Sequence, residues 1–130
     1  MLNQKTNRFN EHVGIEVLHR DDEGCRIALT VRPEHFNSLD NVVHGGVTAT
    51  LADVVMGHGA APYLNGVQQC VTVETKINYV APAKGERLEA VSKVIKSGRK
   101  LIIMEARVTC DGELVAFASG TYARINTEKS

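Results

Sequence analysis

Residues 45–61, "GGVTATLADVVMGHGAA", constrain this chain more than any other stretch. The segment is too long for one strand, it is rich in Ala, Val, Leu and Met, and Pro62 with "LNG" closes it, so it reads as a helix. It is apolar nearly all round, and a helix of that kind must be covered on most of its faces. The small residues Gly45, Gly46, Ala49, Ala52, Gly57 and Ala60 let neighbouring backbone come close. One residue contradicts the pattern. Asp53 puts a negative charge in the middle of the run, and a carboxylate is almost never buried without a partner or a task.

The rest of the chain is read as strands. Ile15 and Val17 begin an alternating segment, and "RDDEG" at 20–24 supplies turn residues. In "CRIALTV", Cys25, Ile27, Leu29 and Val31 face one way and Arg26 and Thr30 the other, the pattern of a half-buried strand. Pro33 ends it, and "EHFNSLDN" is a loop. After the helix come strands at 70–80, 87–96, 100–110 and 113–125, with Asp111–Gly112 as a hairpin turn. Val71, Val73, Ile77 and Tyr79 are expected on one face of the first of these, and Ile102, Met104, Ala106 and Val108 on one face of the third. Short connections predict that the last four strands form an antiparallel meander. Residues 3–11 are expected to form a short helix, and the tail "NTEKS" to fray.

Two strands, one covered helix and four strands imply an α+β fold in which a six-stranded antiparallel sheet curves around the helix. A flat sheet cannot surround a single helix. Such a sheet leaves exposed edges, which a second copy of the chain relieves by pairing. At 130 residues the chain is read as one domain, with its core spanning about 10–125.

Composition excludes several functions. The net charge is zero and no basic stripe stands out, so the footprint of a nucleic-acid binder is missing. The N-terminal residues lack the apolar core of a signal peptide, and the run 42–64 is interrupted by Asp53, two His and several Gly, unlike a spanning helix. Cys25, Cys70 and Cys110 are widely spaced in apolar segments and read as small core residues, and reduced cysteine fits the cytoplasm. His44, Asp53 and His58 do not make a metal trio, because a five-residue step from Asp53 turns about 140° round a helix.

The start of the helix carries the second clue. Gly45 and Gly46 leave backbone N–H groups open where the helix dipole is positive, a place for an anion or for a carbonyl that gains charge. The same glycines also fit a purely structural role in tight packing. Eight residues separate Gly45 from Asp53, about 12 Å along the axis, too far for both to act on one carbonyl within a chain. If both serve one substrate, two copies of the helix must supply them.

"NVVHGGVTATLADVVMG", "VTVETKINYVAPAKGERL" and "GRKLIIMEARVTCDGELVAFASGTY" together resemble the hotdog-fold acyl-CoA thioesterases, most closely the phenylacetic acid degradation (PaaI-like) group. The resemblance covers about residues 10–125 and implies a hotdog fold, a homodimer with a continuous sheet, and further pairing into a homotetramer. It implies that the Gly45 amide polarises the thioester carbonyl, with His44 shaping that corner and Gly46 beside it. It implies that Asp53 of the partner subunit is general base or nucleophile, and that Thr72 positions the water or the acid. An Asn before H-G-G orients the water or substrate in that family; Asn37 is favoured here over Asn41. On the Asp53 side, Met56 and Gly57 are expected to leave room for a bulky or aromatic acyl group. Coenzyme A carries phosphates, and Lys96, Arg99 and Lys100 in "KSGRK" either contact them or form a solvated hairpin tip. His58 either lines the acyl channel or complements the C-terminal helix dipole, the second reading being preferred. The resemblance implies no cofactor. The alternatives are a hotdog hydratase or dehydratase, and a non-catalytic acyl-CoA binder; a sensor would be expected to carry an output module that these residues do not suggest.

Overall fold

The computed structural model describes residues 7–39 and 41–128. The order is α1 (Arg8–Val13), β1 (Ile15–Asp21), β2 (Gly24–Thr30), a 3-10 turn at Pro33–His35, α2 (Gly45–Ala60), a small hairpin β3 (Tyr63–Leu64) and β4 (Val67–Gln68), then β5 (Cys70–Tyr79), β6 (Arg87–Ser97), β7 (Leu101–Cys110) and β8 (Glu113–Arg124). The hotdog architecture is present: a six-stranded antiparallel sheet with α2 touching every strand. Asn7 caps α1 by accepting the Asn10 N–H at 3.0 Å. Residues 3–6 of the helix expected at 3–11 lie outside the described residues.

The sheet order is β1-β2-β6-β7-β8-β5, and this corrects the expected meander. Of the last four strands, only β6, β7 and β8 follow one another as neighbours. β5 pairs with β8, and β6 pairs with β2. The connection at 80–86, containing Pro82, is not a tight hairpin. It crosses the sheet end and docks on the helix start, where Val43 donates its N–H to the Ala83 carbonyl at 3.0 Å.

β5 is therefore an edge strand, and its expected face is also corrected. A bulge between Thr72 and Glu74 shifts the register, so the inward parity changes along the strand. Thr72 opposes the buried Tyr122, and Ile77 opposes the buried Ala118, so Thr72, Ile77 and Tyr79 share the helix side while Val71 turns away. Val71 and Val73 stay exposed along the unpaired edge. On β7 the expected face holds: Ile102, Met104, Ala106 and Val108 are all buried.

Leu51, Val55 and Met56 of α2 pack fully buried among Ile27, Leu29, Leu88, Ile102, Met104 and Val108. Each such side chain contributes about 2 kcal/mol of apolar transfer. The helix lies close on the sheet because Gly59 has no side chain: a Cβ there would sit 2.6 Å from Ser92 Oγ. That hydroxyl donates to the Val55 carbonyl and accepts from the Cys25 N–H at 3.1 Å. The cysteines are core residues, and burial pushes the Cys25 thiol up to about 12.

"LNG" does more than end the helix. Asn65 and Gly66 both take positive φ and turn the β3–β4 hairpin. The tail is held farther than expected: Gln69 takes the Ile125 N–H on its carbonyl and exchanges hydrogen bonds with Thr127. Residues 129–130 lie outside the described residues. No helix among the described residues is long and apolar enough to cross a membrane.

Candidate active site

Asp53 is not in the core. On α2 the residues Gly46, Ala49, Thr50, Asp53 and Val54 form one stripe that the sheet leaves partly or fully open, and the charge sits in its middle. Thr50 stays local, donating its hydroxyl back to the Gly46 carbonyl at 2.8 Å. Two hydroxyls reach Asp53 from the sheet. Thr72 donates to Oδ1 at 2.9 Å, and Tyr122 donates to the same oxygen at 2.8 Å. Thr72 and Tyr122 are direct cross-strand partners on β5 and β8, which is why both arrive together. Burial, with the charge of Asp53 beside it, pushes the Tyr122 hydroxyl well above the usual phenol range, so it remains a donor. Thr72, expected to position the water or the acid, supplies one of these two hydroxyls. Tyr122 carried no signal beyond its place on the inward face of a strand two residues after Gly120.

The helix start is arranged around a single open amide. His44 is the N-cap, and its Nδ1 accepts the Gly46 N–H at 2.8 Å. Gly46 is thus corrected: its donor is already engaged by the cap. Among the described residues no hydrogen bond engages the Gly45 N–H. Tyr79 walls this corner, donating its hydroxyl to the Gly45 carbonyl at 2.8 Å. A Cβ on Gly45 would lie 3.5 Å from the Tyr79 ring, ordinary contact. Tyr79 was expected only as a strand residue. The loop before the helix closes compactly: Asn37 donates its N–H to the Val42 carbonyl, and its side chain takes the Leu39 N–H. Asn41 occupies the left-handed region at φ 64°, a turn task. Of the two, Asn37 is the one bonded back toward the helix start.

The two halves open into different cavities of one chain. One, of about 370 Å³, is lined by Gly45, Thr48, Tyr79, Ala83 and Val115 among others. The other, of about 300 Å³, is lined by Asp53, Thr72, Gly57, His58, Gln68 and Asn10 among others. Gly57 is in the Asp53 cleft as expected. Met56 is corrected: it has no exposed surface and packs in the core beneath Gly120, because it lies on the sheet side of the helix. Lys96, Arg99 and Lys100 are exposed at the β6–β7 tip. The tip is at the Tyr122 end of the sheet, since Ile102 pairs with Tyr122 and Arg124 donates to the Gly98 carbonyl at 3.0 Å.

His58 is corrected too. Burial holds its imidazole down at about 4, so it is neutral near pH 7 and cannot serve the helix dipole as a cation. Arg20 does that instead, donating Nε to the His58 carbonyl at 2.8 Å. The imidazole Nδ1 bonds the Tyr63 hydroxyl at 2.7 Å. This has a measurable consequence. As pH falls, the unfolded chain protonates His58 near 6.5 and the folded chain only near 4. The stability contributed by keeping it neutral is complete above 6.5 and is lost between 6.5 and 4, about 3 kcal/mol in all. Urea denaturation of wild type and His58→Gln at pH 7 and pH 4 should give a steeper acid loss for wild type; parallel losses would refute it.

A family model described as the thioesterase superfamily matches residues 40–117. A candidate esterase of Pseudomonas aeruginosa is 34% identical over 97 residues, covering 74% of this chain and 72% of that protein. The medium/long-chain acyl-CoA thioesterase YigI of Escherichia coli is 25% identical over 129 residues, covering 88% of this chain and 83% of that protein. The solved structure of a variant of the phenylacetic acid degradation protein PaaI from Thermus thermophilus superposes with a TM-score of 0.80 at 28% identity, over 92% of this chain and all of that one.

Proposed function

The chain belongs to the thioesterase superfamily, and from that premise we propose that it hydrolyses an acyl-CoA thioester to the free acid and coenzyme A, at sites shared between two copies. One observation carries the reading: a carboxylate held by two hydroxyls on the open stripe of α2, and an unengaged amide at the start of the same helix, in separate cavities. Two helices related by a two-fold axis bring the start of one to the middle of the other. The unpaired edge of β5, with Val71 and Val73 exposed, suits the pairing that does this. Pairing of two such dimers into a homotetramer, and a cytoplasmic location, belong to the same proposal.

In this reading the Gly45 N–H receives the thioester oxygen as it gains charge. Asp53 of the other copy takes a proton from water while the water oxygen bonds to the carbonyl carbon. The tetrahedral adduct collapses, the C–S bond breaks, and the sulfur takes the proton from Asp53. A thiol near pKa 8.5 is a good leaving group, so one donor and one base suffice. Asn37 orients the water or the substrate, and Gly57 leaves space beside Asp53 for the acyl group.

The test is release of free thiol from acyl-CoA esters of graded size, including aromatic ones. Thiol release supports hydrolysis. Conversion of crotonyl-CoA without thiol would support a hydratase, and binding without turnover a non-catalytic binder. The tip at Lys96, Arg99 and Lys100 is assigned to the phosphates of coenzyme A. Changing all three to Ala should raise KM about fivefold and leave kcat alone. An unchanged KM would return the tip to plain solvent exposure.

A further inference from the structure

Resting on the hydrolase reading above, the geometry points to Tyr122 as a positioning residue that determines which carboxylate oxygen of Asp53 reacts. Tyr122 has no exposed surface, so it touches no substrate in the single chain. Its hydroxyl lies 2.8 Å from Asp53 Oδ1 and 3.1 Å from the Asp53 carbonyl. The backbone carbonyl alone would satisfy a buried phenol. Here the shorter contact goes to the carboxylate, and Thr72 donates to the same oxygen at 2.9 Å. Both donors come from the sheet side. Among the described residues no hydrogen bond occupies Oδ2, and the cleft that Asp53 lines holds Gly57, Gln68 and Thr72. Oδ1 is the anchored oxygen and Oδ2 the reacting one.

The chain makes a slot for this ring. A Cβ on Gly120 would sit 2.9 Å from Tyr122 Cε1 and 3.0 Å from Met56 Cε. A Cβ on Gly57, one turn beyond Asp53, would meet the same ring only at 3.5 Å, an ordinary contact. Gly120 is thus the position whose missing side chain makes room for the ring whose hydroxyl ends on the carboxylate. With Oδ1 held from two strands, Asp53 keeps one rotamer, and Oδ2 faces a water or carbonyl without first having to be ordered.

The experiment compares steady-state thiol release by wild type, Asp53→Asn, Tyr122→Phe and Gly120→Ala on the best acyl-CoA substrate. Tyr122→Phe keeps the ring and removes only the hydroxyl. It should lower kcat about tenfold with KM unchanged, because it loosens the reacting group and not the binding surface. Gly120→Ala, which crowds the ring, should lower kcat alike with the hydroxyl still present, and should add nothing to Tyr122→Phe in the double variant. It also serves if Tyr122→Phe fails to fold. A raised KM at wild-type kcat in these variants would mean that Tyr122 merely shapes the cleft, and would overturn the proposal. Loss of activity in Asp53→Asn with full kcat in Tyr122→Phe would sink the positioning role alone. Full activity in Asp53→Asn would sink the hydrolase reading on which it rests.

Discussion

Asp53→Asn is expected to lower kcat for acyl-CoA hydrolysis about a thousandfold while KM and thermal stability stay near wild type. The amide is almost the same size as the carboxylate. Its oxygen can still accept the two hydrogen bonds that Thr72 and Tyr122 bring to Oδ1, so the hydroxyls of the sheet keep a partner. The second position becomes an NH2 group, which donates and cannot take a proton from water. The substitution therefore deletes the proposed base without opening a cavity. Because Asp53 lies on the half-open stripe of α2 rather than under the sheet, no buried charge is left unpaired. The measurement is kcat and KM by thiol release, with a melting curve on the same samples. A kcat within threefold of wild type would remove Asp53 from the chemistry.

What could be read in advance, and what could not, follows from the range of the interactions. The apolar helix, the strands and the Asp111–Gly112 turn are encoded by neighbours in the chain, and they stand where periodicity and turn residues placed them. Asp53 was legible because a charge stands out in an otherwise apolar run and needs either partners or an open face, and here it has both. The position of β5 was not legible, since its pairing with β8 is decided by how the 80–86 connection crosses the sheet. Its facing was lost to a single bulge at Val73, which reverses parity for every residue beyond it. Tyr122 lies 69 residues from Asp53, and nothing local ties the two. Its one available clue was the inward parity of β8 combined with Gly120 two residues before, a small residue beside a large one. Gly46 and His58 looked like donors to a ligand or a dipole, but their capacity is taken up inside the fold, by the His44 cap and by Tyr63. Residue type alone cannot distinguish a free donor from an engaged one.

Gly45→Pro should cost about 100- to 1000-fold in kcat, the usual loss for one oxyanion donor, and it should do so without disturbing the helix. Gly45 is the first residue of α2, where proline is tolerated because no helical partner exists for that N–H. His44 before it already has φ −58° and ψ 135°, the extended region that a following proline demands. A Cβ at Gly45 meets the Tyr79 ring only at ordinary contact distance. Proline thus removes the open amide and sets its ring Cδ where the amide hydrogen was, so the loss reads the oxyanion position as a whole. The stronger result comes from mixing. Gly45 and Asp53 are about 12 Å apart along one helix, so in the proposed mechanism a working site draws one from each copy. In a dimer of one Gly45→Pro and one Asp53→Asn subunit, one site carries both defects and the other carries neither. Equal amounts, unfolded and refolded together, should form half mixed dimers and recover about a quarter of wild-type activity from two nearly inactive parents. Refolding each parent alone should recover none. If the mixture stays as inactive as its parents although mixed dimers form, each chain works by itself, and the charge in the apolar helix then needs another explanation.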